Sequence, residues 1–295
     1  MSLAWTTLVF GCYTAALLAI GAVGFTLQYG VTNVLNLSYG GIMTSAIFVD
    51  YAVGRGSPNI WLAMAAGAAW GALITWLTGH YLIAAFVRRG TSLFGMAMVT
   101  IALGLVIQFS LEAIQGPLIL SYRVKQGSEV HLGSVIVSAE QLIIMAAAVI
   151  LMLAVHALLR YTRLGLAMRA TAADPPLARA CGTSTSRIRG AAWLASGALC
   201  GICGVLLGIT QGSFNSATGG EFFITLVAAA IVGGIGKPYG AMVGALIVGL
   251  VSEGAAAVIS PAYKYVVAFV ILVVVLMLRP QGIFAEFASS RELVG

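Results

Sequence analysis

The sequence predicts an all-α, polytopic membrane helix bundle, and three observations carry that prediction. Hydrophobic residues make up 60% of the chain and charged residues only 8%. The apolar runs exceed the roughly 18 to 20 residues that a helix needs to cross a hydrocarbon core of about 30 Å. The few Lys and Arg residues lie almost entirely between those runs. A soluble chain of 295 residues would need far more charge to cover its surface, whereas lipid accepts apolar surface directly. Transmembrane strands would alternate polar and apolar residues over segments of about ten. These runs are continuous and rich in Gly, Ala, Leu and Ile, so they read as helices.

Taken in order, the apolar segments are roughly 5–29, 32–53, 60–86, 93–114, 136–159, 190–210, 222–236, 239–259 and 264–279. Segment 222–236 barely spans and reads equally as a half-helix or a re-entrant piece, so the expected count is eight or nine. All are assigned to one transmembrane domain, 1–295. Treated as successive crossings, they place Arg88, Arg89, Arg160, Arg163, Arg169, Arg179, Arg187, Arg189, Lys237, Arg279 and Arg291 on one side. Only Arg55, Arg123, Lys125 and Lys264 remain on the other. This positive-inside bias assigns the 160–189 loop and the C-terminus to the cytoplasm and the N-terminus to the outside. The first basic residue is Arg55, so no cleavable signal pattern precedes the first helix, which is expected to stay. The net charge of +6 reflects this loop bias and does not point to nucleic acid.

The remaining chemistry-bearing residues are sparse. Cys200 and Cys203 have the spacing of a redox or metal pair, yet they sit in an unbroken small-residue run, where free Cys acts as a small hydrophobe. His80, His131 and His156 have no suitably spaced second ligand. Neither an enzyme nor a metal centre is expected. Glycines at four-residue spacing mark close helix contacts, notably Gly197, Gly201, Gly204 and Gly208, and again Gly240 and Gly244.

Two stretches interrupt the apolar pattern with little or no charge: Q-Y-G-V-T-N-V-L-N-L-S-Y-G-G at 28–41 and G-G-I-G-K-P-Y-G at 233–240. Both end in Tyr-Gly and launch a small-residue helix. Interrupted segments at corresponding places in two halves are what repeat-built transporters show, so two pseudo-repeated halves and two unrelated turns both remain open. Gln28, Asn33, Asn36, Ser38 and Tyr39 are candidates for a substrate pathway; the alternative is a surface turn satisfied by water. Among the acids, Glu112 and Glu253 lie deep enough in their segments to join that candidate set, because a carboxylate at mid-bilayer costs about 2.5–3.5 kcal/mol or more. No relay of acids runs through the bundle, which argues against a proton-coupled carrier.

The 160–189 loop is basic and helix-forming. Asp174 followed by Pro175 gives an acidic N-cap and a proline at the first helical position, and Gly182 is placed to end the helix. The result is a two-turn helix over 175–181 that is marginal alone and needs a dock. A soluble partner and the anionic inner leaflet both suit it.

The run A-T-A-A-D-P-P-L-A-R-A-C-G-T-S-T-S-R-I-R resembles the cytoplasmic coupling segment of the Liv-type permeases of ABC importers. T-L-Q-Y-G-V-T-N-V-L-N-L-S-Y-G-G, A-A-A-I-V-G-G-I-G-K-P-Y-G-A-M-V-G-A-L-I-V-G-L and the terminal L-R-P-Q-G-I-F agree in order and spacing. Nearly the whole chain is covered, and the LivH-like branch fits better than the LivM-like one. The resemblance implies a bacterial inner-membrane subunit for branched-chain or related hydrophobic amino acids; urea, short amides and small organic acids are the alternative cargoes. It implies as partners a homologous LivM-like permease or a second copy, two cytoplasmic ATPases and an external substrate-binding protein. By resemblance, Arg169, Thr171, Asp174, Leu177, Ala178 and Gly182 form the coupling helix that docks on an ATPase. No cofactor is expected on this chain, because it lacks a G-x-x-x-x-G-K-[ST] loop and ATP would bind the ATPase. Relatives commonly read N-F-A-H-G-E where this chain reads N-L-S-Y-G-G, and Glu253 stands one place downstream of the usual late acid. Both departures touch the presumed pathway and therefore the cargo.

Overall fold

The computed structural model describes residues 2–54, 59–116, 118–122, 129–132, 135–260, 263–279 and 282–283. Arg55, Arg123, Lys125, Arg291 and the expected C-terminal orientation lie outside those residues. Each predicted apolar segment contains a helix, although 32–53 is broken over 33–38 and 136–138 are strand: α1 (Ser2–Thr32), α2 (Tyr39–Gly54), α3 (Ile60–Leu77) continuing through a π-helical turn (Thr78–Ile83) into α4 (Ala84–Arg88), α5 (Leu93–Gln115), α6 (Ala139–Tyr161), α9 (Thr185–Gln211), α10 (Thr218–Gly233), α11 (Pro238–Val258) and α12 (Lys264–Leu278). The 160–189 loop contributes α7 (Arg163–Ala173) and α8 (Pro175–Ala180). Among the described residues six helices are long and apolar enough to cross a membrane, and α10 and α12 are shorter apolar helices. The chain is therefore a multi-pass membrane protein built as a helical bundle, in which lipid forces each backbone to satisfy its own hydrogen bonds.

Local sequence sets the helix ends. Asn59, Ser92 and Thr162 accept backbone N–H bonds as N-caps, and Ser138 with Gln141 closes a reciprocal capping box at the start of α6. Gly212 and Gly234, both at positive φ, terminate α9 and α10. Two small ladders, which the apolar pattern gives no reason to expect, lie between helices. β1 (Leu120–Ser121) pairs antiparallel with β4 (Ser213–Phe214), and β2 (Glu129–Leu132) pairs with β3 (Val135–Ser138).

Helices α1 and α9 form the centre: 67% and 83% of their spanning windows are buried, against 11% for α5 and 22% for the α3–α4 span. The glycine stripe of α9 explains its position. A Cβ at Gly201 would overlap the Gly67 carbonyl and one at Gly197 the Gly71 carbonyl, so α3 meets α9 backbone to backbone. One turn further, Gly204 faces the Met43 backbone and Gly208 the Ile47 side chain, which seats α2 on the same helix. Gly240 and Gly244 likewise fit α11 against Gly233 and Ala229 of α10. Without a hydrophobic drive between helices in lipid, such close contact supplies the attraction through packing.

Gly201→Val is expected to destabilise the chain by about 1–3 kcal/mol or more, because the obstacle is backbone that cannot rotate away. Gly220→Ala, where an added Cβ meets nothing within 4 Å, should be neutral or stabilising by up to about 1 kcal/mol. Thermal unfolding of the two purified variants in detergent reads the contrast.

Candidate functional site

The first break is not a surface turn. Helix α1 ends at Thr32, Asn33 takes a left-handed conformation (φ 54°), and a non-helical stretch to Ser38 runs back into the bundle before α2 begins at Tyr39. Asn33 sits exposed at the bend, whereas Gln28, Asn36, Ser38 and Tyr39 are all buried. The stretch lies along α5: Thr100 Oγ1 donates to the Leu35 carbonyl at 3.1 Å, and a Cβ at Gly104 would stand 3.1 Å from Ser38 Cα.

The buried groups satisfy one another. Gln28 Oε1 accepts from Asn36 Nδ2 at 3.3 Å and from Ser196 Oγ at 3.5 Å, while Gln28 Nε2 donates to the Val34 carbonyl at 3.4 Å. Ser38 Oγ donates to Asn36 Oδ1 at 2.5 Å. The Tyr39 hydroxyl lies 3.2 Å from the Ser196 carbonyl of α9 and 3.3 Å from the Gly21 carbonyl of α1, and Cys200 Sγ donates to the Tyr39 carbonyl at 3.4 Å. Tyr39 also packs edge-on to Phe25, with Phe223 beside both rings. One closed network thus joins α1, the unwound stretch, α2 and α9. Ser196 was not legible as a member, since nothing distinguishes a lone serine in an apolar helix. Cys200 and Cys203 serve this packing; Cys203 Sγ donates to the Leu17 carbonyl at 3.4 Å.

The second break differs from the first. Gly234 and Gly236, both at positive φ, make a tight turn, and Tyr239 is 47% exposed and hydrogen-bonds with His156 Nδ1 at 3.0 Å. The two breaks meet, however: a Cβ at Gly30 would stand 2.8 Å from the Gly236 carbonyl. Beside that contact a cavity of about 900 Å3 is lined by Arg160, Arg169, Lys237, His156 and Tyr239.

Glu112 and Glu253 lie apart from the network. Glu112 Oε2 accepts from Ser216 Oγ at 3.4 Å. Glu253 Oε1 accepts from Lys264 Nζ and from Thr14 Oγ1, each at 2.6 Å, which balances its charge at the start of α12. A third acid, Asp50, is buried near the end of α2 and accepts from the Tyr122 hydroxyl at 3.0 Å. Burial, with Asp50 adjacent, pushes the Tyr122 pKa well above the usual phenol range. The backbone N–H of Tyr122 donates to the Gly212 carbonyl at 2.9 Å, so this tie also fastens the β1–β4 ladder.

The basic loop is more structured than the single helix its sequence suggests. Helix α7 packs against α6 because Gly165 lets it approach the Leu158–Leu159 backbone, and Met168 and Thr171 are buried beneath it. Asp174 then caps α8, its Oδ1 accepting from Leu177 N at 2.9 Å. Gly182 N donates to the Arg179 carbonyl and Thr183 N to the Ala178 carbonyl, both at 2.9 Å, which is the paired bonding of a Schellman ending. Ala178 is buried against the bundle, while Leu177 is 60% exposed and Arg169 and Arg179 also face outward. The predicted residues therefore divide: Thr171 and Ala178 fix the loop to the bundle, Asp174 and Gly182 shape it, and Leu177 and Arg169 remain available.

A bundle with a helical break at its centre and a structured basic loop at one end is the form of a transport permease. A family described as branched-chain amino acid transport system, permease component, matches residues 7–276, and the chain belongs to that family. It is 28% identical to the high-affinity branched-chain amino acid transport system permease protein LivH of Salmonella typhimurium and to LivH of Escherichia coli K12, over 91% of each chain. It is 28% identical to the corresponding protein BraD of Pseudomonas aeruginosa over 95% of each chain.

Tyr122→Phe leaves the buried Asp50 without this donor and is expected to cost about 1.5–3 kcal/mol, read as a lowered midpoint of thermal unfolding. Asn36→Leu leaves the Ser38 hydroxyl without its acceptor and removes one of the three Gln28 bonds, and should cost about 1–3 kcal/mol by the same reasoning; Asn33→Gly, at the exposed left-handed bend, should leave the midpoint within about 0.5 kcal/mol.

Proposed function

We propose that the chain is the membrane permease subunit of an ATP-driven ABC importer for branched-chain or related hydrophobic amino acids. Membership of the branched-chain permease family over residues 7–276 carries this reading. The relatives' printed substrates and the structured 160–189 loop support it. In this reading one permease domain occupies the inner membrane with eight or nine crossings, α2, α10 and α12 being the short helices and α10 the one that spans or is re-entrant. The arginine-bearing end and the C-terminus face the cytoplasm, and the two Tyr-Gly breaks stand as related positions of two pseudo-repeated halves. The partners are a second permease, two ATPases that bind the ATP, and an external binding protein.

Arg169, Thr171, Asp174, Leu177, Ala178 and Gly182 form the coupling element. Its outward residues, Leu177 and Arg169, meet the ATPase, and its buried residues pass movement to α6 and α9. Driving a gate from 1:99 to 99:1 needs about 5.5 kcal/mol of differential binding, which a capped, rigid helix transmits better than a flexible loop. Gln28, Asn33, Asn36, Ser38 and Tyr39, with Glu112 and Glu253 towards the outer end, belong to the pathway. The network around Gln28 is its closed form: movement of α5, which lies on the unwound stretch through Thr100 and Gly104, away from Leu35 and Ser38 uncovers polar groups that a passing amino acid can use.

In proteoliposomes holding the full complex, leucine, isoleucine or valine with the binding protein is expected to stimulate ATP hydrolysis, and urea, short amides and small organic acids are not. The reverse result would replace the cargo and keep the machine. Asp174→Pro removes the cap and the Asp174 N to Ala170 carbonyl bond; uptake should fall by about fivefold or more, matching a lost cap of about 1 kcal/mol or more, with the subunit still inserted.

A further inference from the structure

A second cavity, of about 360 Å3, lies at the same arginine-bearing end, bordered by Thr32 and Val34 of the first break. Its wall includes Arg88 from the end of α4, Arg179 from α8, Arg189 and Ser186 from the start of α9, and His80 and Trp76 from the π-turn region. No Asp or Glu lines it. No carboxylate among the described residues pairs with any of the three arginines. Arg189 Nε is buried without a hydrogen-bond partner. Ser184, the N-cap residue of α9, makes no side-chain cap bond, so the first amides of that helix also lack a side-chain acceptor.

The wall is built rather than incidental. Trp193 lies flat on Gly79 within the π turn, where a Cβ would come within 2.5–2.7 Å of its ring, and Trp76 stacks on His80 at 5.1 Å. A π turn inserted in a long helix is itself a common mark of a ligand site. Three like-charged guanidiniums from three helices line one cavity, and a buried guanidinium nitrogen without an acceptor is unfavourable. Both are relieved if an anion occupies the space. The donors present, planar guanidinium forks and an uncapped helix N-terminus, suit the tetrahedral oxygens of a phosphate. The volume is at the lower end of the roughly 300–1,000 Å3 of small-ligand sites, and tryptophan belongs at the membrane interface.

We propose that this cavity binds a phosphate group, as a phospholipid headgroup or in free form, and that the bound phosphate ties α4 to the coupling helix α8 through Arg88, Arg179 and Arg189. The site needs only this chain, so it stands or falls separately from the identity of the cargo and of the ATPase. The test uses the purified full chain in nanodiscs, without ATPase. Lipid retained after delipidation is measured by mass spectrometry with phosphatidylglycerol against phosphatidylcholine. A parallel arm measures thermal unfolding in phosphatidylcholine with and without millimolar inorganic phosphate.

Retention of phosphatidylglycerol over phosphatidylcholine, falling about fivefold for each of Arg88→Gln, Arg179→Gln and Arg189→Gln, identifies the headgroup as the source. Stabilisation by inorganic phosphate that the same variants abolish identifies the free anion. Arg163→Gln and Arg187→Gln, which remove equal charge from the same end outside the cavity, should leave both readouts unchanged, and Arg189→Lys should fold normally while binding weakly. The proposal is overturned if the cavity variants fold and match the control variants in both arms, or if anion dependence arises only when an ATPase is added.

Discussion

The contact on which the rest of the structure depends is the approach of α9 to its neighbours through glycine. In lipid there is no hydrophobic force to press helices together, so packing has to supply the attraction. Gly197 and Gly201 bring the α9 backbone against Gly71 and Gly67, and Gly204 brings it against Met43. Those approaches hold α2 and α3 close enough for the Ser196 carbonyl to meet the Tyr39 hydroxyl at 3.2 Å and for Cys200 to reach the Tyr39 carbonyl. Wider spacing would leave that buried tyrosine without its α9 partner. The glycine stripe thus positions the central polar network as well as the bundle.

That network answers a problem that the break creates. Six residues between α1 and α2 have left the helix, and beyond the exposed Asn33 the polar side chains of Asn36 and Ser38 are buried and need partners within the bundle. Gln28 faces Asn36, Ser196 and Val34 at once, Ser38 closes on Asn36, and Thr100 covers the Leu35 carbonyl. A network satisfied in this way is rigid only while α5 stays in place. Helix α5 is also the least buried spanning helix, at 11%. A central element that is fully bonded yet covered on one side by the helix with the smallest buried share is suited to switching between two packings.

The two ends of the bundle are organised on different principles. At one end the acids are individually tied: Asp50 to Tyr122, Glu253 to Lys264 and Thr14, Glu112 to Ser216. These bonds tie α2 and α5 to the segments around Tyr122 and Ser216 and join α11 to α1 and α12, and make that end a set of clasps. At the other end the cations gather around cavities, Arg160, Arg169 and Lys237 around one and Arg88, Arg179 and Arg189 around another. Fixed positive charge open to the surroundings favours contact with anionic partners, whether lipid or protein.

Much of this was legible in the chain itself. Continuous apolar runs can only be helices in lipid, so the helical character of the apolar segments, the glycine contacts of α9 and α11 and the Asp174 and Gly182 ends of α8 followed from residue type and spacing. The packing role of Cys200 and Cys203 was equally readable from their small-residue surroundings. What the sequence could not decide were matters of distance between remote segments: that the Gln28–Ser38 stretch folds inward, that Ser196 completes its bonding, that Tyr39 is buried while Tyr239 is exposed, and that α7 lies on α6. Tyr-Gly reads alike at both breaks; only the neighbours differ. Local pattern fixes which backbone groups must be satisfied, but a hydrogen bond between residues 168 positions apart exists only once α1 and α9 have packed, and packing is a property of the assembled bundle.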